Sequence, residues 1–267
     1  MSHKKYPERI MPGDLIPVDS IQQHLSRYAF ASKFVEGKVV LELGCGIGYG
    51  SRYLREKGAA KVMGVDNSVE AIEIAKRYYQ TDGVEFVLLD ATRLNFADES
   101  SDCVVAFEII EHLREQEDFL KECYRVLKKG GTFICSTPNR EIVSPDSSQP
   151  LWPWHVKEFN INEFSQLISR YYTDVFFYGQ PDPDLILAQS LLFKLAVSIR
   201  KRMECLPYSD KIVNLVTHFI FRHHRRVKFT PDLDLDKIGE AQRYWPLPLQ
   251  GSSFIPLSII AVAKVEK

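Results

Sequence analysis

Glu108, Glu111 and His112 stand close together in FEIIEHL, residues 107–113, and a second histidine, His155, follows in PWHVKEFNINEF. Carboxylates and imidazoles are the side chains that move protons near neutral pH, so this set can serve general acid–base chemistry, with His112 as base or substrate contact. Two carboxylates and two imidazoles can also ligate a hard divalent cation, Mg²⁺ or Mn²⁺, with coordination positions left for substrate oxygens. A purely structural role for His112 is a third reading, and all three stay open at this point.

A second group of residues points to a bound ligand. VVLEL runs directly into GCGIGYG, which places glycines at 44, 46, 48 and 50 with Cys45 between the first two. Glycines at a strand-to-helix turn let the backbone bend sharply and come close to a ligand. Dinucleotide sites share that feature, but their GxGxxG spacing differs from the GxGxG found here, and they lack an acid at the position of Glu42. An amino-acid moiety without phosphate fits Glu42 and this turn better. Asp66, followed by Asn67, closes GVD and can accept both hydroxyls of a ribose. Asp90, followed by Ala91 and Thr92, is placed for an adenine edge. All three acids end successive β-type runs, where open α/β sheets bind ligands.

The elements that must carry these residues are short apolar runs alternating with amphipathic ones. Strands are expected at 39–43, 61–66, 85–90, 103–108, 131–137, 174–179 and 254–265, with helices at 48–57, 68–80, 113–128 and 160–170. Ser68 is the expected N-cap of the second helix. Near-continuous apolar strands separated by helices imply an α/β fold with a parallel sheet covered on both faces. In such a fold the loops after the fourth and fifth strands border one crevice, so Glu108, Glu111, His112 and His155 are expected to converge. Residues 1–37 read as a preceding helical arm, 38–180 as the ligand-binding core, 181–253 as a helical insertion or lid, and 254–267 as the closing strand.

At 267 residues and 45% hydrophobic, the chain can bury a substantial core. A formal net charge of −1 argues against a surface built for nucleic acid. MSHKKYPERIMPG has no apolar signal-peptide core, and no stretch reaches 18 uncharged apolar residues. Five cysteines, at 45, 103, 123, 135 and 205, form no CxxC pair and read as reduced thiols. A cytoplasmic protein is the expected setting, with peripheral contact to a membrane surface as an alternative.

In this order ELGCGIGYG, GVD, FVLLDATRLNF, FEIIEHL and LKKGGTFICSTPN resemble the class I, Rossmann-like S-adenosylmethionine-dependent methyltransferases, over about residues 36–180 and the closing strand. That resemblance implies a seven-stranded, mostly parallel sheet with helices on both faces and a helical insertion before the last strand. It implies Glu42, Gly44, Cys45, Gly46 and Gly48 around the methionine end of S-adenosylmethionine, Asp66 and Asn67 at the ribose, and Asp90 and Ala91 near adenine. Phe107 or Glu108 would flank the site. His24, Arg27 and Tyr28 in the arm are candidates for covering the cofactor carboxylate, with simple helix packing as the alternative. Methyl transfer is an in-line displacement, for which holding the partners in line is worth roughly 7–11 kcal/mol. A hydroxyl acceptor additionally has to lose its proton.

ExxEH, then STPN, then His155 ahead of Glu163 and Phe164, is similar to the small-RNA 3′-terminal 2′-O-methyltransferases, which implies a divalent cation on Glu108, Glu111, His112 and His155. An ExxEH block is also common in quinone-pathway and glycan-cluster methyltransferases that use no metal. PERIMPG, HLSRYAFA, STPN and HVKEF together resemble methyltransferases of surface-glycan assembly, which implies O-methylation of a sugar or other small-molecule hydroxyl. A metal-dependent RNA ribose methyltransferase and a non-catalytic cofactor-binding partner protein are the alternatives. Trp152, Trp154 and Phe159 could stack on a sugar ring or base, or belong to the core. The insertion carries LILAQSLLFKLAVSIRKRM and KIVNLVTHFIF, with Arg200, Lys201, Arg202, Arg222, Arg225 and Arg226 at their ends. It reads as a lid or homodimer interface, as a membrane-surface contact through 181–226, or as a grip on a phosphorylated acceptor. Few aromatic residues accompany RHHRR, which weakens the RNA version.

Overall fold

Val40 and Leu41 set the plan of the molecule: neighbours on one strand, they enter different hydrophobic cores, one on each face of the sheet. Val105 and Val104, Ile134 and Phe133, and Ile260 and Ile259 divide in the same way. A strand buried on both faces has no use for polar alternation, which explains the unbroken apolar runs. The computed structural model describes residues 10–145, 147, 149–181, 226–228, 246–249 and 256–267.

The described strands are β1 (Leu15–Pro17), β2 (Val39–Leu43), β3 (Lys61–Asp66), β4 (Val84–Leu88), β5 (Ser101–Phe107), β6 (Leu127–Pro138), β7 (Asp174–Gln180), β8 (Arg226–Lys228), β9 (Leu247–Pro248) and β10 (Ser258–Lys264). The helices are α1 (Val18–Ala31), α2 (Tyr49–Glu56), α3 (Val69–Tyr78), α4 (Gln116–Val126), α5 (Arg140–Val143) and α6 (Ile161–Ile168). The main sheet runs in the order β4-β3-β2-β5-β6-β10-β7-β9. Its β4-to-β6 part is parallel, and β10 lies antiparallel between β6 and β7. This is the Rossmann-like α/β fold expected from the sequence.

Three details correct the expectation. The sheet has eight strands rather than seven, because β9 pairs with the outer side of β7. Its Pro248 has no N–H to donate, which suits an edge and hides the strand from a propensity reading. A separate two-stranded sheet joins β1 to β8, so a strand precedes α1 in the arm, and the 181–253 segment contributes two strands among the described residues. The expected helix 113–128 is confined to α4, because Leu113 is extended after a 3₁₀ turn at Ile110–His112 and Leu127 already begins β6.

Elsewhere the local signals hold. The Ser68 hydroxyl accepts the Ala71 N–H at 3.3 Å and caps α3. Asn160 and Glu163 form a capping box on α6. Cys45, Cys103, Cys123 and Cys135 are buried free thiols, while Cys205 lies outside the described residues. So do the two insertion helices, their basic ends from Arg200 to Arg225, and the surface reading built on them. Among the described residues no helix is long and apolar enough to cross a membrane.

Candidate active site

The turn after β2 is shaped by glycines with different duties. At Gly48 φ is +93°, and a Cβ would stand 2.6 Å from the Phe86 ring, so packing demands glycine there. At Gly46 φ is +53° and nothing lies within 4 Å of where a Cβ would be, so its backbone faces open space. Asp66, 6% exposed at the end of β3, accepts the N–H of Gly46 and that of Ser68, each at 2.9 Å. The carboxylate expected at a ribose therefore also fixes the ligand-facing glycine. Cys45 donates its N–H to Val65 O at 2.9 Å, which ties the turn to β3.

Glu42 lies beneath this turn, 1% exposed. Tyr28 donates to its Oε1 at 2.5 Å and Ser51 donates to its Oε2. Burial pushes its carboxyl up to about 7, against the lowering effect of those two hydroxyls. Asp90 is exposed beyond β4, and its Oδ1 accepts both the N–H and the hydroxyl of Thr92 at 2.8 Å. Ala91 is buried beside it and Asn67 is exposed beside Asp66. Phe107, at the end of β5, meets the Tyr28 ring edge-on at 5.2 Å.

α1 packs over the start of α2 and brings the three arm candidates to the same place, in unequal states. Tyr28 directs its hydroxyl at Glu42. His24 bonds the Tyr49 hydroxyl at 3.0 Å, and burial with the nearby Arg27 charge lowers its pKa to about 3, so it is neutral. Only Arg27 carries charge. It is 3% exposed, donates from Nη1 to Gln180 Oε1 at 2.6 Å, and its Nε has no acceptor. A buried donor left unmet costs about 1–3 kcal/mol.

On the other side of β5 the structure gathers three of the four residues expected to converge. One ligand atom each of Glu111, His112 and His155 lies within 4.8 Å of the others. Glu108 is the exception. Its φ of +53° turns it aside, and its Oε1 accepts from the Ser136 hydroxyl at 2.6 Å. Glu111 is fully buried. Its Oε2 accepts from Thr137 Oγ1 at 3.1 Å, and its Oε1 has no partner. Burial, then the neighbouring Glu108 charge, hold its carboxyl well above the usual carboxylate range.

His112 Nδ1 lies 3.1 Å from the Trp154 carbonyl, and His155 Nδ1 lies 2.7 Å from Glu158 Oε1. The imidazole centroids are 5.0 Å apart. The Glu111 carbonyl accepts the N–H groups of Val156 at 2.7 Å and Lys157 at 3.1 Å, which latches the His155 loop onto the 3₁₀ turn. Of the expected aromatic group, Phe159 belongs to the core at 0% exposure, whereas Trp152 is 46% exposed with its ring 6.5 Å from that of His155.

Sequence reasoning missed Ser51, Gln180, Thr137 and Glu158. The last was signalled by its place three residues after His155, and Thr137 by its place inside STPN. Nothing local marks Ser51 or Gln180, since each acts on a residue brought to it by the fold.

Residues 41–135 match a family model described as a methyltransferase domain. A Mycolicibacterium smegmatis protein named as an S-adenosylmethionine-dependent methyltransferase is 37% identical over 162 residues, 60% of this chain and 62% of that protein. A fatty-acid O-methyltransferase of the same species is 43% identical over 117 residues, 43% of this chain and 42% of that enzyme. The chain thus spans less than two thirds of the length of these relatives. A solved S-adenosylmethionine-dependent methyltransferase of Thermotoga maritima aligns over 93% of this chain and 92% of its own, with a TM-score of 0.57 at 16% identity, a likeness of fold alone. The core described above shares the Rossmann-like fold of that methyltransferase.

Proposed function

We propose that this chain is an S-adenosylmethionine-dependent methyltransferase that acts on an oxygen acceptor, a hydroxyl of a sugar or of another small molecule. The observation that carries the cofactor reading is Arg27: a buried guanidinium beside the glycine turn, with an unmet Nε and no carboxylate partner among the described residues. The amino-acid end of the cofactor brings the carboxylate this group lacks. Gly46 would offer its open backbone to that end, Asp66 its carboxylate to the ribose hydroxyls, and Asp90 with Ala91 and Thr92 the wall beside adenine. When bound, the cofactor supplies an electrophilic methyl group on a sulfonium.

The acceptor side follows from the imidazoles. A carbonyl oxygen can only accept, so the contact with Trp154 O puts the His112 proton on Nδ1 and the lone pair on Nε2. Nε2 can then take the proton that a hydroxyl acceptor must lose. The exposed face of Trp152 next to His155 suits the C–H face of a sugar ring.

A second reading has its own support. Val156 is 46% exposed on the same loop, and a relative over the core is a fatty-acid O-methyltransferase. An apolar carboxylic acid would be an acceptor that needs no base at all. Calorimetry with S-adenosylmethionine and labelled methyl transfer to sugars and to fatty acids, each over a pH series, tests both. Cofactor binding with transfer to a sugar is the expected result. Transfer to fatty acids alone would replace the acceptor, and absence of cofactor binding would end the proposal.

A further inference from the structure

We propose that Gln180, the last residue of β7, is the positioning residue that holds Arg27 ready for the carboxylate at the amino-acid end of the cofactor. That role rests on the methyltransferase reading and deepens it, because it names what keeps a buried guanidinium in place without cancelling its charge. Gln180 is fully buried. Its Oε1 accepts from Arg27 Nη1 at 2.6 Å. Its Nε2 donates to the Gln23 carbonyl at 2.9 Å and to the Ser26 hydroxyl oxygen at 2.5 Å.

Both ends of this contact are fixed. Residues 23, 26 and 27 are spaced i, i+3 and i+4, so they share one face of α1 and meet a single side chain of β7. On the sheet side Gln180 faces Ser258 of β10 in the antiparallel register, and its carbonyl accepts the Leu257 N–H at 2.8 Å. The Ser26 hydroxyl in turn donates to the Gln23 carbonyl at 2.8 Å, so its oxygen is turned to accept from Gln180. A guanidinium only donates and a carbonyl only accepts, which settles the carboxamide with Oε1 on Arg27 and Nε2 on Gln23.

The position calls for an amide. A carboxylate there would turn an oxygen toward the Gln23 carbonyl and would neutralise Arg27 in a buried ion pair. The neutral carboxamide orients the guanidinium and leaves its charge in full. Arg27 lies close enough to His24 and to Tyr49, the first residue of α2 after Gly48, for that charge to act on both. It is 3% exposed, and its Nε has no acceptor. A buried charge on a neutral partner is costly, and a ligand carboxylate arriving beside the glycine turn relieves that cost. Gln180 thereby makes the site selective for the amino-acid end rather than for the adenosine.

The test is calorimetry on the full chain with two probes, S-adenosylhomocysteine and 5′-methylthioadenosine, which share adenosine and thioether and differ in the amino-acid end. The wild type should bind the first more tightly, and Arg27→Met should weaken that probe about tenfold without moving the second. Gln180→Glu should weaken S-adenosylhomocysteine about tenfold or more and Gln180→Met about fivefold, with 5′-methylthioadenosine held within about twofold in both. Melting curves accompany every variant. Should Gln180→Glu not fold, Gln180→Met, which keeps length and neutrality, and Ser26→Ala, which releases only Nε2, carry the same comparison, the latter at about threefold. Equal losses for both probes, or none for either, with Arg27→Met still selective, overturn the role of Gln180 alone. No selective loss in Arg27→Met, or no binding by the wild type, removes the cofactor reading together with it.

Discussion

Around Glu42 both carboxylate oxygens receive a hydroxyl, from Tyr28 and Ser51, while around Glu111 one oxygen receives Thr137 and the other receives nothing. Glu158, beside His155, repeats the second pattern with an unpartnered Oε2. On the Glu42 side the unmet group is a donor, the Nε of Arg27. The two sides of β5 thus carry opposite deficits: one has an unmet donor and the other has unmet oxygens. A carboxylate that is fully hydrogen-bonded belongs to the scaffold, and an orphaned one marks where something else fits.

The sharpest way to separate the two sides is His112→Ala. A lost proton acceptor lowers kcat by about 10²–10⁴, and cofactor affinity measured by calorimetry should not move, since the histidine lies on the far side. Unchanged turnover would take the imidazole out of the chemistry. Asp66→Ala should do the reverse. It removes a charge-assisted bond to Gly46 of the glycine turn and another to Ser68, and cofactor affinity should fall about 100-fold or more, equivalent to about 3 kcal/mol. Intact affinity would mean that the ribose lies elsewhere.

Glu42→Gln probes whether the scaffold carboxylate is as enclosed as its contacts imply. Its folded pKa, about 7, is raised above the ordinary 4.5. The group therefore contributes full stability below pH 4.5 and loses it as pH climbs through about 7. Relative to the wild type, Gln should be worth about 2–3 kcal/mol more at pH 8 than at pH 4, read from denaturant melts. His24, which is pushed the other way, is common to both proteins and cancels. A flat difference across pH would place Glu42 in contact with water. The smallest effect is expected from Arg27→Met, about tenfold in cofactor affinity for one lost charged contact, with Arg27→Lys in between.

What could be read in the sequence was what is local. The glycine turn, the acids closing β3 and preceding α3, the Ser68 cap and the ExxEH spacing all act within a few residues. The convergence of His155 with Glu111 and His112 needed only the topology of the sheet. Glu108 was misplaced because a positive φ at a residue other than glycine leaves no trace in composition. β1, β8 and β9 were missed because two- and three-residue strands, two of them with proline, carry no periodicity. Ser51 and Gln180 act through partners brought to them by the fold, at a sequence distance of up to 157 residues for Gln180 and Gln23.

β10 gives the molecule a particular order of assembly. β6 and β7 do not pair with each other; β10 lies between them and pairs with both. Lys264 faces Thr132 in one register and Asp174 in the other, so both pairings join residues far apart in sequence and close late. Until that strand arrives, two rows of unpaired backbone groups stand open, one on the half of the sheet that carries both sites. Such edges are the surfaces on which chains join one another. The open slot is then the place of greatest exposure to aggregation, and a peptide of the β10 sequence supplied in excess should compete for it during refolding.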